Sequence, residues 1–327
     1  MGYELSILDQ SPVINGQSNV EAFQQTIALA QLAEQLGYKR FLVSEHHNLT
    51  GLIGTSPEVL IGHLLAKTTK IRIGSAGVML QHYSAYKVAE NFNVLATLGP
   101  DRVDLGVGKT SGGLPYSTKA LQKNFKDQVT SFDERFLELY RYIHPEENTL
   151  TVTPVPPIAP HIILLGASLP SAEVAAKLDI SYAFARFINT DDAILEKIAT
   201  TLANRKRGKL IVSVTVIASE NSEEAKQFAS NYEVAQVFLQ SGNVASLQSV
   251  ELATAFGEQS NEPYEVKTFP ANIIAGTPEE IKLELDKLHE KFGVDEFILH
   301  TPIQHIEKRF TSFELLSPAR LFTSVQV

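Results

Sequence analysis

The chain has 327 residues, 44% hydrophobic and 20% charged, enough apolar material for one large α/β domain or two ordinary ones. A formal net charge of −9 repels phosphate backbones, so nucleic acid is not an expected partner. The lack of cysteine removes disulfides, thiol nucleophiles and thiolate metal sites together.

Met1-Gly2-Tyr3-Glu4 has no basic segment followed by an apolar one, so no signal peptide is expected. No apolar run reaches membrane-spanning length, and the expected location is the cytoplasm. Leu5 to Asp9 reads as a short strand with a polar end. Asn19 to Leu36 carries helical periodicity stopped by Gly37. Phe41 to Ser44 is a second, fully buried strand. Ser56-Pro57-Glu58 starts a helix running to about Thr68. Ile71 to Ala76 is a third strand, with a helix from about Ser84 to Leu98. Arg102 to Val107 is a fourth, followed by the glycine-rich Gly108 to Gly113 and a long helix to about Tyr142. His161 to Leu165, Ser181 to Phe184 and Leu210 to Ile217 continue the rhythm. Thr277-Pro278-Glu279-Glu280 is a capping box whose helix ends at Gly293, and Glu296 to Leu299 is the last strand.

Roughly eight strands alternating with helices fit one (β/α)8 TIM barrel over residues 1–327. An open doubly wound sheet is the alternative, but no G-x-G-x-x-G follows the first strand. Between about 238 and 270 the pattern weakens, as in a functional loop, an extra helix pair, or an inserted lid-like segment.

Four strand ends carry candidate chemistry. Glu45-His46-His47 follows the second strand, where a barrel gathers its catalytic groups, and a histidine there can act as acid or base near neutral pH. The structural alternative is one histidine bonded to Glu45 and the other on the surface. The H-E-x-x-H spacing of a zinc site is absent, so no metal is assigned. Ser75-Ala76-Gly77-Val78-Met79-Leu80 puts small residues at a strand end, which leaves room for a flat ligand, or for close packing. Lys109 lies in a glycine-rich loop suited to an anion, although the G-x-x-x-x-G-K-[ST] pattern is not met. Gly166-Ala167-Ser168, with Ser171, joins a strand to a helix start and suits a phosphate, or a plain serine cap.

These segments resemble the bacterial luciferase-like flavin monooxygenases. The resemblance rests on Leu8-Asp9-Gln10-Ser11-Pro12, Ser44-Glu45-His46-His47-Asn48, Gly74 to Leu80, Arg102 to Gly108, and Gly166-Ala167-Ser168 with Ser171, in that order along the chain. It implies a barrel that binds FMN at its mouth, with reduced FMN as co-substrate supplied by a separate flavin reductase. It further implies a dimer, here a homodimer, and oxygenation of a small organic substrate by O2 through a C4a-peroxyflavin. His46 matches the family's active-site histidine. Ala76 and Gly77 match a pair joined by a cis peptide beneath the flavin ring. Lys109 falls where the luciferase α subunit has an arginine toward the phosphate. Ser168 and Ser171, beside Gly166 and Ala167, match its phosphate-binding hydroxyls. Lysine lacks the bidentate fork of arginine, Gln81-His82-Tyr83 replaces the Pro-Asn-His of many relatives, and 238–270 has no recognisable match. Three other readings are a deazaflavin-dependent oxidoreductase, a non-catalytic flavin-binding protein, and a sugar-phosphate isomerase-type barrel.

Overall fold

The computed structural model describes residues 2–14, 16–123, 131–145 and 150–323. Eight parallel strands close into a barrel: β1 (Glu4–Asp9), β2 (Arg40–Val43), β3 (Arg72–Ser75), β5 (Val103–Gly108), β6 (His161–Gly166), β7 (Ser181–Ala185), β8 (Leu210–Ala218) and β13 (Glu296–His300). The short β4 (Val78–Met79) extends the β3 position along β5, and β12 (Ile273–Gly276) pairs with the upper half of β8. All eight barrel strands fall on the segments that the hydrophobic pattern marks.

Helices form the outer layer: α1 (Asn19–Leu36), α2 (Pro57–Lys67), α3 (Ala85–Leu98), α6 (Leu169–Leu178), α7 (Asp192–Thr201) and α10 (Pro278–Phe292). Local chemistry fixes their ends. Ser18 and Glu21 make a reciprocal capping box for α1, and Gly37 ends it in the left-handed conformation. Thr277, Glu280 and Gly293 do the same for α10. Instead of one long helix to Tyr142, the described residues form two, α4 (Pro115–Leu121) and α5 (Phe132–Ile143), the second opened by a Ser131–Glu134 capping box. Residues 124–130 lie outside the description.

After α8 (Ser222–Ala229) the chain leaves the barrel. It forms an antiparallel sheet of β9 (Glu233–Leu239), β10 (Val244–Leu247) and β11 (Tyr264–Pro270), in the order β10-β9-β11, covered by α9 (Val250–Gln259). The poorly patterned stretch thus holds strands and one helix. Ala235, Val237 and Ala253 give it only a small core, which explains its weak periodicity. The chain ends in α11 (Ile306–Leu315) and α12 (Pro318–Thr323).

The barrel has two interiors. Its middle is apolar, filled by Leu8, Leu42, Ile163, Ala183, Ile211 and Ile298. Its N-terminal end is closed by buried charge. Arg40 makes a bidentate pair with Glu296 (Nε–Oε1 2.7 Å, Nη2–Oε2 2.9 Å) and reaches Asp104 through Nη1 at 2.9 Å. Arg72 also binds Asp104, at 2.8 Å, and Ser6 donates to Glu296 at 2.6 Å. Burial alone would raise the Asp104 carboxyl. Arg40, His161 and Arg72 outweigh it and hold that carboxyl well below the usual carboxylate range.

Removing one member of a buried pair strands the other's charge. Arg40→Met should therefore cost about 3–5 kcal/mol of stability, read as a large fall in the denaturation midpoint. A loss under about 1 kcal/mol, typical of an exposed pair, would show that the cluster does not carry the barrel floor.

Candidate active site

The mouth is built where the strands end. After Val43, the backbone N–H of Ser44 donates to Asp9 O at 3.1 Å, that of His46 to Gly54 O at 2.8 Å, and that of His47 to Gly112 O at 2.8 Å. Glu45 is buried and accepts three bonds: from His47 Nε2 (2.7 Å) and Tyr83 Oη (2.7 Å) at one oxygen, and from Met79 N (3.1 Å) at the other. His46 is half-buried, with Nδ1 2.9 Å from Ser44 Oγ. Burial, reinforced by His47 and opposed by Glu45, lowers its pKa to about 4, so it is neutral at neutral pH. His47 is thus the histidine bonded to Glu45, and His46 is half-buried beside Ser44, not on the open surface.

The peptide bond between Ala76 and Gly77 is cis. Ala76 is half-buried on the apolar layer of Leu8, Leu42 and Ile163, beside Leu165. Gly77 serves close packing: a Cβ there would lie 2.5 Å from Leu165 Cδ1 and 3.0 Å from Gly106 O. The loop after β5 is drawn against the loop after β2. Gly112 takes φ +62°, its carbonyl accepts from His47, and a Cβ on Gly113 would stand 2.3 Å from His47 O. Most of that glycine-rich run is therefore spent on a loop-to-loop contact. Lys109 is exposed, and its carbonyl accepts from Gln81 Nε2.

At the end of β6, Gly166 and Ala167 are half-buried, and Gly166 is packed against Ser171 and Tyr182. Ser168 has the backbone of an N-cap (φ −139°, ψ 153°), but its side chain makes no capping bond. Its Oγ lies 3.3 Å from Ser171 Oγ instead. Tyr182 fixes the turn, donating from Oη to Ser168 O at 3.0 Å and accepting from Ser168 N at 3.3 Å. The sheet order β2-β3-β5-β6 makes these strands neighbours. His46, Ala76-Gly77, Lys109 and Gly166 to Ser171 therefore form one arc around the mouth.

The opposite wall carries residues with little sequence signal. Arg309 on α11, 2% exposed, bonds Asp9 at 2.5 Å, and Thr26 donates to the same carboxylate at 2.6 Å. His300, at the end of β13, is lowered to about 4 by burial and by Arg309, with Asp9 opposing and His46 adding to the fall. Asp9 was visible as the polar end of a strand, but Arg309 lies 300 residues away and had no signal. Tyr83 and His82 stand in the Gln81-His82-Tyr83 segment that departs from the Pro-Asn-His of many relatives, which marked the place but not their bonds to Glu45 and Ser111. The inserted sheet reaches the mouth through Gln248, which donates to Gln10 at 3.2 Å, and through Gln259, which accepts from Tyr116 N at 3.1 Å. A cavity of about 430 Å³, lined by Tyr232, Gln248, Ser249 and Thr268 among others, opens at the base of the insertion and not over the arc.

Residues 3–296 match the family model of the luciferase-like monooxygenases. The chain is 41% identical to the N-acetyl-S-alkylcysteine monooxygenase of Bacillus subtilis (strain 168), covering 97% of this chain and 98% of that one. The crystal structure of apo-MsnO8 superposes with a TM-score of 0.78 at 33% identity, covering 97% and 98% of the two chains. The oxygenating constituent of 3,6-diketocamphane monooxygenase from Pseudomonas putida, solved with FMN, shares the fold with a TM-score of 0.70 at 16% identity, over 97% of each chain. The chain is an enzyme of the luciferase-like monooxygenase family.

Proposed function

We propose that this monooxygenase takes reduced FMN from a separate reductase in the cytoplasm and uses O2 to oxygenate a small organic substrate. The observation that carries the reading is the arc itself, which runs over four adjacent strands from a half-buried neutral imidazole to a helix start without a side-chain cap. The residues fit the cofactor. Ala76 offers a small half-buried surface on an apolar layer, where a flat ring can lie. Ser168 and Ser171 offer hydroxyls at the start of α6, and the helix dipole there favours a phosphate. Lys109, on the neighbouring strand end, adds one positive charge. Bound reduced FMN would supply the two electrons that activate oxygen.

His46 does its work as a neutral imidazole. Ser44 holds Nδ1, which fixes the ring and leaves Nε2 to take or give a proton at the reacting face. Glu45 and Tyr83 cannot take that role directly, because each is committed to the other. The named activity of the B. subtilis relative supports an N-acylated, thioether-bearing amino acid as the first substrate class to try. A homodimer is supported by the exposed apolar Val59, Val94 and Leu98 on the neighbouring helices α2 and α3, and light scattering tests it.

Titration with oxidised and then anaerobically reduced FMN should give micromolar or tighter binding of the reduced form, and His46→Ala should slow oxygen-dependent turnover while sparing binding. No binding of either form, with binding of a deazaflavin coenzyme instead, would sink this reading.

The protonation of the two histidines yields a second expectation. Each imidazole titrates near 6.5 when unfolded and near 4 when folded, so the unfolded chain holds more protons between those values. Stability should be full above pH 6.5 and fall as pH drops toward 4. His46→Gln should flatten that fall, and an unchanged slope of stability against pH would show that His46 is not buried in its neutral form.

A further inference from the structure

We propose that Glu45 is a positioning residue, whose carboxylate holds the loops carrying His46, Ala76-Gly77 and Lys109 in one register. This rests on the flavin reading above and assigns the device that assembles the site.

The three donors to Glu45 come from two loops. His47 lies two residues along its own loop, and Met79 N and Tyr83 Oη belong to the segment just after the Ala76-Gly77 bond. The third loop is reached through His47, whose backbone N–H donates to Gly112 O and whose carbonyl is packed against Gly113. A second strut runs in parallel. His82 accepts at Nδ1 from Gln122 Nε2 (3.2 Å), which leaves Nε2 to donate to Ser111 O (2.8 Å). Its ring meets the His47 ring edge-on at 5.6 Å. Ser111 and Gly112 lie two and three residues beyond Lys109, so both struts set that loop.

The chemistry of the group supports a positioning role over simple packing. A fully buried carboxylate is costly unless every partner is present, and an apolar side chain would fill the same space without that cost. An ionised carboxylate is acceptor-only and can take all three donors at once. The isosteric amide keeps one acceptor oxygen, so either its nitrogen faces Met79 N–H or His47 Nε2 and Tyr83 Oη must stop donating and accept instead. The barrel floor, closed by Arg40, Glu296 and Asp104, lies at the opposite end of the strands. Losing Glu45 should therefore release the mouth loops without opening the barrel.

Glu45→Gln, Tyr83→Phe, their double variant, Gly113→Ala and Lys109→Met separate the roles. Each is measured for affinity toward reduced FMN, for kcat of oxygen uptake at saturating reduced FMN with N-acetyl-S-methylcysteine present, and for folded fraction by thermal unfolding. Lys109→Met should weaken binding of reduced FMN roughly tenfold, as loss of one charged phosphate contact would. Glu45→Gln should lose at least about tenfold in kcat even at saturation, because His46 is displaced from the reacting face. Tyr83→Phe should lose less, the double variant no more than Glu45→Gln alone, and Gly113→Ala should reproduce the kcat loss with Glu45 intact. Wild-type kcat in Glu45→Gln, or a loss no greater than its unfolded fraction, overturns the proposal alone. Failure of the wild type to bind reduced FMN overturns the flavin reading and the proposal with it.

Discussion

Everything at the mouth depends on a charge cluster at the other end of the barrel. Arg40 begins β2, Glu296 begins β13, Arg72 begins β3, and Asp104 is the second residue of β5. Their contacts at 2.7–2.9 Å hold these strand starts together, with Arg40, Asp104 and Glu296 buried and Arg72 at the rim. In such a place attraction and desolvation nearly cancel, so the gain in stability is modest. The gain in register is larger, because any slip by one residue would point these side chains outward and leave charges unpaired. The register at the floor then fixes which residues emerge at the top.

Strand β2 shows how short the link is. It has four residues, roughly 13 Å of chain, from Arg40 at the floor to Val43 below the mouth. Glu45 follows almost at once, and the polar bond pattern resumes. The layer between is apolar, with Leu42 packed among Leu8, Ile163 and Ile298. One short segment thus carries a floor charge, a core residue and the pin of the active site. This stacking of polar, apolar and polar layers explains how a buried carboxylate can sit above a buried guanidinium without the two meeting.

The mouth divides into two walls. On one side, four adjacent strands present small residues, hydroxyls and a lysine. On the other, Asp9, Arg309, Thr26 and His300 make a second polar group, tied to the C-terminal helices. His46 adds to the lowering of His300 across the space between. Both are kept neutral by burial, so neither adds positive charge to the mouth. The inserted sheet touches both walls lightly, through single side-chain bonds at Gln10 and Tyr116.

The sequence by itself determined the barrel. Eight short apolar strands, capping boxes at Ser18 and Thr277, and stops at Gly37 and Gly293 are local signals, and each is read from residues close in the chain. It also placed the polar residues at strand ends, because polarity after a buried strand needs a partner. It could not say which histidine of the pair is held by Glu45, since that depends on Tyr83 and Met79, more than thirty residues away. It could not show that Ser168 leaves its helix uncapped, because that choice is set by Tyr182 from the next strand. The insertion was hidden because a sheet with so small a core needs little periodicity. Arg309 was invisible because an ion pair spanning 300 residues leaves no local pattern. Local propensity and burial are written in neighbouring residues, whereas hydrogen-bond partners and charge neighbours exist only once closure of the barrel brings distant strand ends together.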